Sequence, residues 1–206
     1  MTRRGYHHGN LREALVATAM ALIAEKGPFG FTIAEAARAA GVSPAAPYRH
    51  FRDRDDLMAE VARQGFERFT TRLAAAWNEG RPDPLTALQN LGRTYLDFAR
   101  REPAYYAAMF EAGLPLEVDP GLARAGDRAF AVLRQAAENL AQTVPKVRRP
   151  PALMVALHLW SLAHGIASLF AHGDGGRRWL AMSPEDLLEA GVLVYLQGLG
   201  IGTPPR

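Results

Sequence analysis

The sequence predicts an all-α protein, in which an N-terminal three-helix unit of helix-turn-helix type precedes a larger C-terminal helical bundle. Three observations carry this. Apolar residues recur at spacings of three and four along most of the 206-residue chain. Glycine and proline interrupt that pattern at intervals typical of helix length. No stretch alternates apolar and polar residues long enough to form a strand.

The elements follow in order. Leu11, Ala14, Leu15, Thr18, Ala19, Leu22 and Ile23 mark one face of a first amphipathic helix, which stops at Gly27-Pro28. Thr32, with Glu35 three residues later, has the capping-box arrangement. The helix it opens turns Ile33, Ala36, Ala37 and Ala40 inward and ends at Gly41. Ser43-Pro44 supplies a second N-cap for a short helix running to about Phe51. Asp53 caps a long fourth helix from about Arg54, with Leu57, Val61, Phe66, Phe69, Leu73 and Trp77 on its buried face. Further helices are expected over about 85–101, 103–111, 121–144, 150–172 and 184–200.

Residues 32–51 thus form a helix-turn-helix, with Ala39-Ala40-Gly41-Val42-Ser43 as its turn. Gly41 suits the left-handed conformation that ends a helix, and Val42 can plug the angle between the two helices. The second helix would point its free N–H groups outward, where a phosphate is favoured. Ala45 and Ala46 are small enough to approach a major-groove floor, and Tyr48, Arg49 and His50 have base-edge or phosphate reach. Thr32, Ser43, Pro44 and Arg54 complete the candidate DNA-binding set, and Arg3, Arg4, His7 and His8 form a basic arm. The same motif also serves as plain packing, and a Tyr-Arg-His triplet can be a solvated face.

Charge permits nucleic-acid binding without requiring it. The net charge is +3, and 22 of 24 basic residues are arginine. Arginine suits phosphate contacts, and a GC-rich coding bias explains the same count. Residues 1–56 hold eight Arg or Lys against six Asp or Glu, a net of +2.

Other classes find little support. With no cysteine there is no disulfide framework, thiolate metal site or cysteine nucleophile. No glycine-rich phosphate loop, Gly-x-Ser-x-Gly or His-Glu-x-x-His motif is present, so an enzyme is not expected and no cofactor is implied. Met1–Asn10 is basic and polar rather than a secretory signal, which points to the cytoplasm. The uncharged run 152–171 has the length of a membrane span. However, His158, Ser161, His164, Gly165, Ser168 and His172 fall in one arc, so a helix within a soluble bundle is expected instead. A spacing of six sets His158 and His164 about 120° apart, which disfavours a shared metal.

Tyr95, Phe98, Tyr105, Tyr106, Met109, Phe110, Trp160 and His164 are candidates for lining an apolar effector pocket, and equally for a plain core. Leu187, Leu188, Gly191, Val194, Tyr195 and Gly198 form a stripe whose glycines permit close helix approach, a candidate dimer interface.

The run from Thr32 to Ser43, then Tyr48-Arg49-His50-Phe51 and Leu57, resembles the DNA-binding domain of TetR-family transcriptional regulators. Tyr6-His7-His8-Gly9-Asn10-Leu11 resembles the opening of one branch, and Trp160-x-x-x-His164-Gly165 resembles the signature of branches with a WHG-type C-terminal domain. The resemblance implies a homodimeric one-component regulator of double-stranded operator DNA, usually a repressor released by a small-molecule effector. On this reading residues 1–54 read DNA, and 55–206 bind effector and dimerise. The other reading kept open is a helical interaction protein that has lost DNA binding. Two residues depart from the family pattern. Pro47 replaces a leucine-like residue and should tighten or tilt the start of the recognition helix. Arg54 replaces the usual lysine and keeps its charge.

Overall fold

The computed structural model describes residues 11–115, 119–171 and 182–201. Eight α-helices are found among them: α1 (Leu11–Lys26), α2 (Ile33–Ala39), α3 (Arg54–Trp77), α4 (Pro84–Arg101), α5 (Pro103–Phe110), α6 (Pro120–Ala141), α7 (Ala152–Ala171) and α8 (Pro184–Gly198). Short 3-10 turns occupy Pro47–Arg49, Asn78–Gly80 and Lys146–Arg148, and no strand occurs among the described residues. The all-α expectation holds, and helix ends fall within a few residues of their expected places. The short helix expected from Ser43 is the exception.

Two compact units form, one from residues 1–66 with 103–124, the other from 67–102 with 125–206. This is a division by packing, whereas the boundary expected after residue 54 is a functional one.

In the first unit, α1 buries Leu15, Val16, Ala19, Leu22 and Ile23, and it packs against α2, the Pro47–Arg49 turn and α5. Leu57, Met58 and Val61 of α3 are fully buried. Gly65 lets α5 come close, because a Cβ there would stand 2.7 Å from Met109 Sδ. Asp53 accepts from Asp56 N at 2.8 Å, capping α3 as expected.

Among the described residues of this unit, one charged side chain is buried. Glu60 is 6% exposed. It accepts from Arg12 Nη1 at 2.8 Å, Arg63 Nε at 2.8 Å, Arg63 Nη2 at 2.7 Å and Gln64 Nε2 at 2.8 Å. Burial pushes the carboxyl up, but the hydrogen bonds from Arg63, Arg12 and Gln64 outweigh it and hold the pKa at about 2, against an ordinary 4.5. Arg12 belongs to α1, so the pair fastens α1 to α3.

In the second unit, α4, α7 and α8 pack on one another. Val155, Ala156, Leu159, Ala163, Ile166 and Ala167 form the buried face of α7. Leu188 lies against Gly92 and Leu162 against Gly191, so both glycines admit a leucine of the same chain. Leu188 is therefore a core residue of this unit, 4% exposed, and not part of a free stripe. Gln89 and Arg93 of α4 both reach Glu189 of α8 at 3.0 Å.

Because Glu60 has the lower pKa when folded, its stabilisation is complete above about pH 4.5 and is lost as pH falls toward 2. Denaturant unfolding at neutral pH should show Glu60→Gln destabilised by roughly 2–3 kcal/mol. That gap should close as pH is lowered through 4.5 to about 2. A gap constant across the window would remove this role from Glu60.

Candidate nucleic-acid interface

The helix-turn-helix is built by local chemistry. Thr32 Oγ1 accepts from Glu35 N at 3.2 Å, while Glu35 Oε2 accepts from Thr32 N at 2.8 Å, completing the expected capping box. The Thr32 backbone N–H, helped by its hydroxyl and by Lys26, holds the Glu35 carboxyl below its ordinary range. The Thr32 hydroxyl also donates to Glu35 Oε2 at 3.0 Å, so its donor is already engaged.

At the other end of α2, Gly41 has φ +72, the left-handed value expected of it. Val42 N donates to Ala37 O at 3.0 Å and Gly41 N to Arg38 O at 3.0 Å. These two bonds form a Schellman motif, which stops α2 and redirects the chain.

The segment that follows differs from expectation. No α-helix starts at Ser43. The regular turn begins at Pro47 with Ala46 in the cap position, and it is a single 3-10 turn. Pro47 has no N–H to give to Ser43 O, which instead accepts from Ala46 N at 3.0 Å. The i→i+3 pattern continues with Arg49 N to Ala46 O at 3.3 Å and His50 N to Pro47 O at 2.9 Å. Tightening is what Pro47 predicts; replacement of the helix by turns goes further.

Buried Pro47 and Phe51 anchor this segment, and the Arg12 guanidinium lies 5.4 Å from the Phe51 ring centroid. Between the anchors, Tyr48 is 58% exposed, and Arg49 and His50 are also exposed. Ser43, Pro44 and Ala45 are exposed and Ala46 is half-buried. The structure therefore brings Ser43 to His50 onto one short exposed segment.

The cations over residues 11–66 divide sharply, and Arg124 at the end of the unit is exposed. Lys26 pairs with Glu35, Arg12 and Arg63 with Glu60, Arg52 with Asp56, and Arg54 with Asp55. The side chains of Arg38 and Arg49 are exposed and make no ion pair or hydrogen bond among the described residues. Arg38 is absent from the sequence-derived set. A signal for it exists, since it lies off the Ile33, Ala36, Ala37 buried face of α2. The arm Arg3, Arg4, His7 and His8 lies outside the described residues.

The candidate effector residues fall in two clusters. In the second unit Tyr95 OH bonds His164 Nδ1 at 3.0 Å and accepts from Trp160 Nε1 at 3.3 Å. Phe69 stacks edge-on against Tyr95 at 5.1 Å and lies 4.8 Å from Phe98, while Phe130 lies 5.7 Å from Trp160. In the first unit Tyr105 and Met109 face Gly65, and Phe110 meets Phe66 at 5.5 Å and Tyr106 at 5.0 Å. The sequence marks Phe66 and Phe69 only as core positions of α3, and it does not single out Phe130. A separate open groove of about 440 Å³ is lined by His158, Leu159, Ser161, Leu162, Gly191 and Tyr195. There His158 Nδ1 and Tyr195 OH stand 2.9 Å apart, and burial pushes the Tyr195 phenol up.

Two family models match this chain: bacterial regulatory proteins of the tetR family over residues 15–61, and a tetracyclin repressor-like C-terminal domain over residues 88–195, more than half its length. The chain belongs to the TetR family. It is a transcriptional regulator that binds DNA and not an enzyme. The uncharacterized HTH-type transcriptional regulator YobS of Bacillus subtilis is 26% identical over 193 residues, covering 92% of this chain and 93% of its own. A protein of unknown function from Rhodococcus sp. RHA1 superposes with TM-score 0.78 at 28% identity, covering 95% and 98% of the two chains. The TetR family transcriptional regulator PfmR of Thermus thermophilus, at TM-score 0.63 and 20% identity over 89% and 97%, shares the fold.

Proposed function

We propose that this TetR-family regulator reads a specific double-stranded operator with residues 43–50 and Arg38, acts as a cytoplasmic homodimeric repressor, and is released by a small-molecule effector. Residues 1–54 are the reading head, and 55–206 the effector-binding and dimerising body. The observation that carries the DNA reading is the exposed, unpaired set Arg38, Ser43, Tyr48, Arg49 and His50, in a stretch, residues 11–66, whose other cations are all ion-paired. Arg38 and Arg49 supply phosphate or guanine contacts, and Ala45 and Ala46 allow close approach to thymine methyls.

Exposed apolar side chains support the dimer. Leu153, Met154, Leu157 and Leu169 of α7 and Val194 of α8 are exposed, Val194 to 71%. Covering them by two-fold pairing removes that surface from water and sets two reading heads against one duplex. Leu187, Tyr195 and Gly198 remain candidate members of this face. The helix α7 is long and apolar enough to cross a membrane. The bonds of His158 to Tyr195 and of His164 to Tyr95 favour packing among helices instead.

For the effector, Tyr95, Trp160 and His164 bring a hydroxyl, an indole N–H and an imidazole to one place, with Phe98 buried in the same unit. Tyr105, Tyr106, Met109 and Phe110 fit better as core of the first unit. The helix α3 has residues in both units. A ligand favouring one placement of α3 would change the separation of the two heads.

On a duplex selected from a random-sequence pool, Arg38→Ala and Arg49→Ala should each weaken binding. Each should also lower the magnitude of the slope of log affinity against log salt by about 0.9. Slopes unchanged in both variants would contradict the assignment. Val194→Glu should shift the sedimenting species from dimer to monomer, and no shift would count against this face. Across a panel of hydrophobic ligands, tryptophan fluorescence change should accompany loss of operator affinity. A saturating ligand that leaves operator affinity unchanged would defeat the release step.

A further inference from the structure

Arg54, at the first position of α3, enters the DNA-binding set by its place at the start of that helix and by its likeness to a family lysine. Its surroundings give it different work. The side chain is 22% exposed. Nε donates to Phe31 O at 3.1 Å, Nη2 donates to Pro28 O, and Nη1 donates to Asp55 Oδ1 at 2.8 Å. The same guanidinium lies 5.2 Å from the Phe31 ring centroid and 5.9 Å from that of Phe29. Every nitrogen of the group is thus engaged within the protein. Both carbonyls belong to the loop between α1 and α2, and Phe31 immediately precedes Thr32, the N-cap of α2.

We propose that Arg54 is a positioning residue and not a phosphate contact. It clamps the loop 28–31 to the start of α3 and so fixes where α2, with Arg38 and the turn behind it, begins. A lysine cannot replace it. One ammonium on a flexible stem neither spans two carbonyls and a carboxylate in a fork nor stacks as a planar group on a ring. The proposal rests on the DNA-reading function above for its effect on operator binding, but its claim about the loop stands separately.

The test compares the full chain with Arg54→Met and Arg54→Lys on one duplex selected by the parent, on a non-cognate duplex, and by amide hydrogen exchange without DNA. Both variants should lose roughly tenfold in affinity for the selected duplex. They should keep the parent's non-cognate affinity and salt slope, and exchange faster at residues 29–33 while α1 is unchanged. Suppose instead that Arg54→Lys binds like the parent, while Arg54→Met loses affinity for both duplexes and about 0.9 in slope. Arg54 would then be a phosphate contact and the proposal overturned. Equal losses on both duplexes, with exchange raised across the whole unit, would reduce it to general fold support, which also overturns it. If the parent selects no duplex at all, the DNA reading fails. In that event exchange at 29–33 still decides whether Arg54 holds the loop, and unchanged exchange there overturns the clamp.

Discussion

The first unit depends on a buried carboxylate. Glu60 is almost wholly removed from water, and a charge so placed is costly unless every oxygen is satisfied. Arg12, Arg63 and Gln64 satisfy it, and through Arg12 the arrangement fixes α1 against α3. The same Arg12 also covers the Phe51 ring, so the ion pair reaches the end of the recognition segment. Removing Arg12 would leave Glu60 to Arg63 and Gln64, both of α3, and would break the link that brings α1, α3 and residue 51 together. The interface rests on this frame because its own recognition segment contains very little regular structure.

That sparse structure follows from Pro47. A residue without an N–H cannot give the bond that an α-helix from Ser43 needs, and the chain closes i→i+3 bonds over residues 43–50, followed by a single i→i+4 bond from Phe51 N to Pro47 O at 3.0 Å. What a helix would hold by its own ladder is held here by burial of Pro47 and Phe51, four residues apart. Tyr48, Arg49 and His50 therefore project from between two anchors. The placement of these exposed side chains is set by the core beneath the segment, which is why an internal ion pair bears on a surface property.

Local signals in the sequence translate well. The Thr32–Glu35 box, the Asp53 cap and the left-handed Gly41 each depend on residues within a few positions, and each forms as expected. Pro47 is legible in direction but not in extent, because its outcome depends on burial against distant residues. The partners of Arg54 are hidden for the same reason: Pro28 and Phe31 lie more than twenty positions away, and nothing local announces them. Tyr95 and Tyr105 look like neighbours in sequence, yet they belong to different compact units, with Pro103 opening a new helix between them. Gly191 reads in sequence as a sign of association between chains, and it admits Leu162 of its own chain instead.

A turn held by Pro47 and Phe51, with Arg38 beside it, is the surface that meets the duplex in this account. Backbone NMR shifts recorded while the full chain is titrated with a selected duplex test this most directly. The largest changes should fall at Arg38 and at residues 43–50, with Tyr95 and His164 changing far less. Changes concentrated in α7 and α8, with residues 43–50 unmoved, would contradict it.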